Sequence, residues 1–390
     1  MLGEVKGRLR TARWRRVAGI AIAGGLAVAS LAAPDARAGD DGGNRRVRPL
    51  NVVTPRATTS PTGLTPAQIK AAYGFPTDYK AGAGETIAVV IPYHHPTIEA
   101  DLKVFSKTFG LRPCTKVNYC LKQVNHRGSK SNYPATSSLW ATEVALDVQW
   151  AHAIAPGAKI LVVEAKSDRL YDVLKAEDYA TSHAGYVSNS LGLNEFSGQS
   201  VHNKHFDRPG VSIFVASGDD GTAGGPSYPS TAPGAISVGG TTLVDIGQTT
   251  FDEKGWKGSG GGCSRYEKAP AAQAAFDGYA ATNCGGKRAA PDVALVGDPR
   301  SGVSVYYSYE NNDTPWLRLG GTSAATPMWA ARAAVSGRVV DAAHLYASPS
   351  PIPFRDITAG NNGLPALVGF DLVTGLGSWA DDAAPSIPVA

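Results

Sequence analysis

Apolar residues along this chain fall into two kinds of run. Short stretches with little polar alternation occur at 86–91 (TIAVVI), 159–165 (KILVVEA), 186–191 (YVSNSL), 211–217 (VSIFVAS) and 235–240 (AISVGG). Their length and continuity predict strands buried on both faces. Between the first two lies SSLWATEVALDVQWAHAIA, which reads as a helix of about five turns. Strands separated by helices make a mostly parallel sheet with helices on both faces. The expected fold class is therefore α/β, in a single large domain. Chemistry in such folds gathers in the loops that follow strand C-termini. Upstream, Thr65 in LTPAQIKAAYGF is placed to cap a short helix with proline in its first turn.

The two ends do not share this pattern. Residues 1–38 run from a basic stretch through an apolar one to DARA, a small-x-small ending. This predicts a signal peptide cut after Ala38 and a secreted product. A membrane anchor competes, because the apolar run is borderline in length for a span. No later stretch is apolar enough to cross a bilayer, so no stable membrane association is expected once the leader is gone. The leader also explains the charge. It carries +5 of the chain's net +4, leaving −1 for the remainder, and nothing argues for nucleic acid. Residues 39–63 are polar and aperiodic and read as a short flexible linker, too short for a full propeptide. The main domain is expected over 64–380, with a tail at 381–390. Four cysteines in an exported chain suggest two disulfides. Of three pairings, the local ones, Cys114 with Cys120 and Cys263 with Cys284, are favoured. No spacing resembles a zinc site.

Candidate chemistry starts at GGTSAATP, where Ser323 follows two glycines at the mouth of a helix. A serine hydroxyl is a weak nucleophile until a base takes its proton. None of the eight histidines lies in an HGTxVAG-like setting. His152, on the long helix, is nine residues from Glu143, about 900° of rotation, and points to the opposite side. Glu143 and Asp147 are four apart and share a face. Two acids this close on an apolar helix cannot both ionise easily, so they share a proton and one pKa rises. Such a pair can accept a proton from serine in acid. Asp219, in ASGDDG, follows a predicted strand; on its own it would be an ordinary Asp-Gly turn.

Together EVALD, GGTSAATP and ASGDDG, with LTPAQIKAAYGF, YPSTAPGAISVGGTT, GSGGGCSRY and PDVALVGDP, resemble the sedolisin family, the serine-carboxyl peptidases, over about 64–380. The resemblance implies a subtilisin-like fold and a Ser-Glu-Asp triad: Ser323 as nucleophile, Glu143 as general base, Asp147 as its orienting partner and Asp219 at the oxyanion. It implies that SNSLG (188–192) is the edge that aligns an extended substrate. It also implies one structural Ca2+ in FRDITAGNNGLPALVGFDLVTGLGS, held by Asp356 and Asp371 and by carbonyls of Ile357, Leu367 and Gly369. Some members extend the acid network with a glutamate and a tryptophan where this chain has Ile91 and Leu191. The implied activity is that of a secreted, acid-active serine endopeptidase acting on protein or peptide substrates as a monomer. Two other readings stand beside it: a catalytically silent peptide-binding protein of the same fold, and a hydrolase with a distant histidine as base.

Overall fold

The computed structural model describes residues 42–53, 57–247, 250–311 and 313–380. The expected signal peptide (1–38) and tail (381–390) lie outside the described residues. The described residues form one compact unit.

A ten-stranded sheet runs through the described residues. Its centre is parallel, in the order Val293–Val296, Ile236–Gly247, Ser212–Ala216, Tyr186–Asn189, Thr86–Pro92, Lys159–Ala165 and Leu121–Asn125. Helices pack on it, as continuous apolar strands require. Together they make the α/β architecture, a mostly parallel sheet covered by helices, that the apolar runs imply. The strand expected at 186–191 breaks at Ser190: Tyr186–Asn189 stays in the main sheet, while Leu191–Asn194 joins a separate three-stranded sheet. The helix at Pro66–Tyr73 starts where the sequence places it, with Thr65 and Gln68 forming a reciprocal capping box. Both local disulfides are formed, Cys114–Cys120 and Cys263–Cys284. No helix among the described residues is long and apolar enough to cross a membrane.

Two helices carry the site. Ser138–Ile154 is buried on almost every side, as expected of a helix apolar all round. It packs against Thr322–Ser336, which lies across the strands Tyr186–Asn189, Ser212–Ala216 and Ile236–Gly247.

The segment expected to be a linker is different. Within 39–63, Arg48–Pro49 pairs antiparallel with Leu191–Gly192, and Val52–Val53 pairs antiparallel with Leu319–Gly320. Side-chain periodicity could not disclose this, because the pairing runs through backbone groups that every residue carries.

Several buried acids lie away from these helices, and Glu177 stands out among them. Glu177, on Leu170–Thr181, is fully buried, and neither carboxyl oxygen has a hydrogen bond of normal geometry, although Asn189 lies close. Burial pushes its pKa up to about 8. A carboxyl raised in the folded state stabilises the fold below its unfolded pKa and loses that contribution as pH rises through the folded value. His95 and His152 are shifted down by burial, to about 3 and about 4, so their protonation differs between folded and unfolded states mainly below about pH 6.5. The melting temperature is therefore expected to fall between about pH 6.5 and 8. Glu177→Gln is expected to flatten that slope in calorimetric scans; an unchanged slope in a folded variant would refute the assignment.

Candidate active site

The candidate residues are delivered by three elements, Glu143 and Asp147 sharing one helix. Ser323 enters on the first turn of Thr322–Ser336, reached from the strand Trp316–Gly320 through Gly321. Gly321 has φ +96°, a left-handed conformation that favours glycine. A Cβ there would lie 2.2 Å from the Leu50 carbonyl oxygen and 2.7 Å from Asp219 Oδ2. No other residue lets the helix start this close to both.

Glu143 and Asp147 project from one face of Ser138–Ile154, and both are fully buried. Burial, followed by the Asp147 charge, holds the Glu143 carboxyl well above the usual carboxylate range, and proximity to Ser323 opposes the rise. No hydrogen bond of normal geometry joins Ser323 Oγ to Glu143 in this closed arrangement. Such contacts are often loose before a substrate is in place. Burial likewise raises Asp147, opposed by the Ser190 hydroxyl, which donates to Asp147 Oδ1 at 2.7 Å. His152 faces away, as its helical phase requires, and contacts the Arg112 carbonyl at 2.7 Å.

The break at Ser190 now has a physical role. The residue leaves the sheet just past a strand C-terminus, so its side chain can reach the carboxyl helix. Ser190 Oγ also lies 3.4 Å from the Ser323 carbonyl oxygen. That carbonyl lacks its usual helical partner because Pro327, four residues on, has no N–H. Nothing in the local sequence pattern marks Ser190 as a partner of Asp147 beyond its place in the middle of SNSLG, at the end of a strand run.

Asp219 follows the neighbouring strand Ser212–Ala216. Its Oδ1 accepts from the Thr322 backbone N–H at 2.7 Å and from Thr322 Oγ1 at 2.9 Å. Its edge remains open to solvent, but protein crowds the other sides, and this burial pushes the pKa up to about 7.

The cleft is filled by the chain itself. After the antiparallel pairing of Arg48–Pro49, the Leu50 carbonyl oxygen accepts the Ser323 backbone N–H at 3.1 Å. A peptide carbonyl thus lies at the nucleophile, between strands paired on either side of it.

Ile91 and Leu191 are both fully buried; Ile91 lies in the central strand and Leu191 opposite Pro49. The five expected calcium ligands lie on two loop segments that converge. Gly369 N–H donates to Asp356 Oδ2 and Leu367 N–H to Asp371 Oδ2, each at 2.8 Å. Burial raises both carboxyls from the usual range, and neither has an ion-pair partner among the described residues. The carbonyls of Ile357, Leu367 and Gly369 accept no hydrogen bond from a described residue. The Gly369–Asp356 bond draws the two segments together, and the candidate ligands on them, two carboxyls and three carbonyls, offer only oxygen, the donor type that suits a hard cation.

A model of the subtilase family matches residues 128–344, more than half of the chain. Kumamolisin from Bacillus sp. (strain MN-32) is 30% identical over 359 residues, covering 82% of this chain and 63% of its own length. The chain belongs to the sedolisin family, within the subtilases. Xanthomonalisin from Xanthomonas sp. (strain T-22) is 27% identical over 355 residues, covering 72% of this chain and 41% of its own length. The chain therefore spans less than two thirds of either relative. Among solved structures, Pseudomonas sedolisin, a serine-carboxyl proteinase complexed with two molecules of pseudo-iodotyrostatin, matches with a TM-score of 0.68 at 25% identity. That match covers 82% of this chain and 96% of the other.

Within this sedolisin site, the environment of Asp219 can be tested directly. A carboxyl infrared band that disappears in Asp219→Asn is expected to titrate near pH 7, far above a free aspartate. Titration near pH 4 would show that the crowding on its inner side is too weak to matter.

Proposed function

We propose that the chain is a secreted serine-carboxyl peptidase that hydrolyses peptide bonds of protein or peptide substrates in acid. The observation that carries this reading is the contact of Ser323 N–H with the Leu50 carbonyl, in a segment paired as an extended strand beside two buried carboxyls. It is the arrangement a peptidase needs for its substrate.

In this reading Ser323 Oγ attacks the carbonyl carbon and its proton passes to Glu143. A carboxyl held up by burial is a stronger base, once ionised, than a free one. Asp147 shares the dyad's proton, and Ser190 fixes Asp147 through Oδ1. The developing oxyanion is met by the Ser323 backbone N–H and by the Asp219 carboxyl, which can donate only while protonated. Thr322 holds Asp219 by Oδ1, leaving Oδ2 to face the same small space beside Gly321 that the Leu50 carbonyl enters. Glu143 then returns the proton to the departing amide nitrogen, the C–N bond breaks, and an acyl group remains on Ser323. Water, deprotonated by Glu143, releases the acid and restores the serine. No histidine is required.

Purified Ser323→Ala and Glu143→Gln proteins are expected to fold and to lose roughly a thousand-fold or more of peptide hydrolysis. The wild-type kcat/KM is expected to fall as pH rises past about 7, where Asp219 loses the proton it donates. Wild-type rates from either variant, or a plateau reaching into alkali, would sink the mechanism.

The donor set on the C-terminal loops supports one structural Ca2+, held by Asp356, Asp371 and the carbonyls of Ile357, Leu367 and Gly369. An ion that binds only the folded chain stabilises it by mass action. Chelator is expected to lower the melting temperature of the wild type and leave that of Asp371→Ala unmoved. Identical wild-type curves with and without chelator, once metal analysis shows the ion has been stripped, would count against the site.

A further inference from the structure

The segment in the cleft does more than fill it. Its backbone meets the chain as a substrate would: Arg48 lies opposite Gly192, Pro49 opposite Leu191, and the Leu50 carbonyl takes the Ser323 N–H. Beyond Leu50, Val52–Val53 continues along Leu319–Gly320. This register makes Leu50–Asn51 the bond presented to the nucleophile, with Leu50, Pro49 and Arg48 the first, second and third residues before it. The side chains then report what each position accepts. Leu50 is 1% exposed, packed where Gly192 leaves room: a Cβ at Gly192 would come within 3.0 Å of Leu50 Cδ1. Arg48 forms an ion pair with Asp220, the residue after the oxyanion carboxyl, and both side chains are about half exposed. Arg300, which lines the same hollow as Asp220, is committed to Asp298.

We infer that Gly192 and Asp220 set the specificity of this cleft, selecting peptides with a bulky apolar residue before the cleaved bond and a basic residue two positions further back. This rests on the peptidase reading and names its substrate class. The two contributions differ in size. Burying a large apolar side chain discriminates strongly between residues. An exposed ion pair contributes little and is screened by salt, but a like charge in its place repels. The apolar position therefore sets whether a peptide is cleaved, and Asp220 ranks those that are.

The test uses the full chain and three synthetic peptides: RVRPLNVV, the same peptide with glutamate for the second arginine, and the same with aspartate for leucine. Cleavage is followed by mass spectrometry in acid at low salt. Wild-type protein is expected to cut the first after leucine, to cut the second about three- to tenfold more slowly, and to cut the third at least roughly tenfold more slowly. Asp220→Lys is expected to reverse the preference between the first two. Asp220→Asn is expected to abolish the preference, and raising salt to narrow it in the wild type. The chain's own Leu50–Asn51 bond provides an internal check, since its cleavage yields a fragment beginning at Asn51 that Ser323→Ala does not produce. Cleavage at other bonds, or equal rates on the arginine and glutamate peptides, would overturn the subsite assignment while leaving the peptidase reading intact. Absence of Ser323-dependent cleavage of any peptide would overturn both.

Discussion

Everything at this site depends on burying two carboxyls, Glu143 and Asp147, on one helical face without a cation beside them. Burial penalises their charged forms, and each penalises the other. The surroundings that relieve this are neutral: the Ser190 hydroxyl on Asp147, and the Ser323 hydroxyl near Glu143. A cation would lower both pKa values and leave a weak base. Neutral donors leave a strong one, at the expense of requiring acid for the neighbouring Asp219 to keep its proton. The fold supplies the enclosure by packing one all-round apolar helix against another over a parallel sheet.

How much of this was legible in the sequence depended on what carried the information. Continuous apolar runs located the central strands because burial on both faces leaves no polar alternation. The four-residue spacing of Glu143 and Asp147 followed from helix geometry alone, as did the turning away of His152. Ser190 was harder: its role arises where a strand leaves the sheet, and a six-residue apolar run does not say where it will split. The segment around Arg48–Val53 reads as a linker because its residues show no periodicity. Its order comes from backbone hydrogen bonds to two edges distant in sequence, which local pattern cannot register.

Glycine had a different kind of legibility. GGTS suggested a close helix start, and Gly321 shows what the closeness is for: the first turn must approach both a peptide carbonyl and a carboxyl. Pro327 belongs to the same device. By withholding an N–H from the Ser323 carbonyl, it frees an acceptor beside Ser190, so the nucleophile's own backbone becomes part of the polar surround of the dyad.

The strand that lies across Ser323 is joined to the rest of the protein by covalent bonds, and that changes the competition any free peptide faces. A tethered ligand acts at an effective concentration that reaches the millimolar range for short flexible connections. A dissolved peptide of equal intrinsic affinity would have to match that local concentration before it occupied half of the clefts. While the connection is intact, a dissolved peptide competes with a strand that dilution cannot remove. Cutting the chain between Leu50 and Asn51 would convert a first-order contact into an ordinary second-order one, and dilution alone would then empty the cleft.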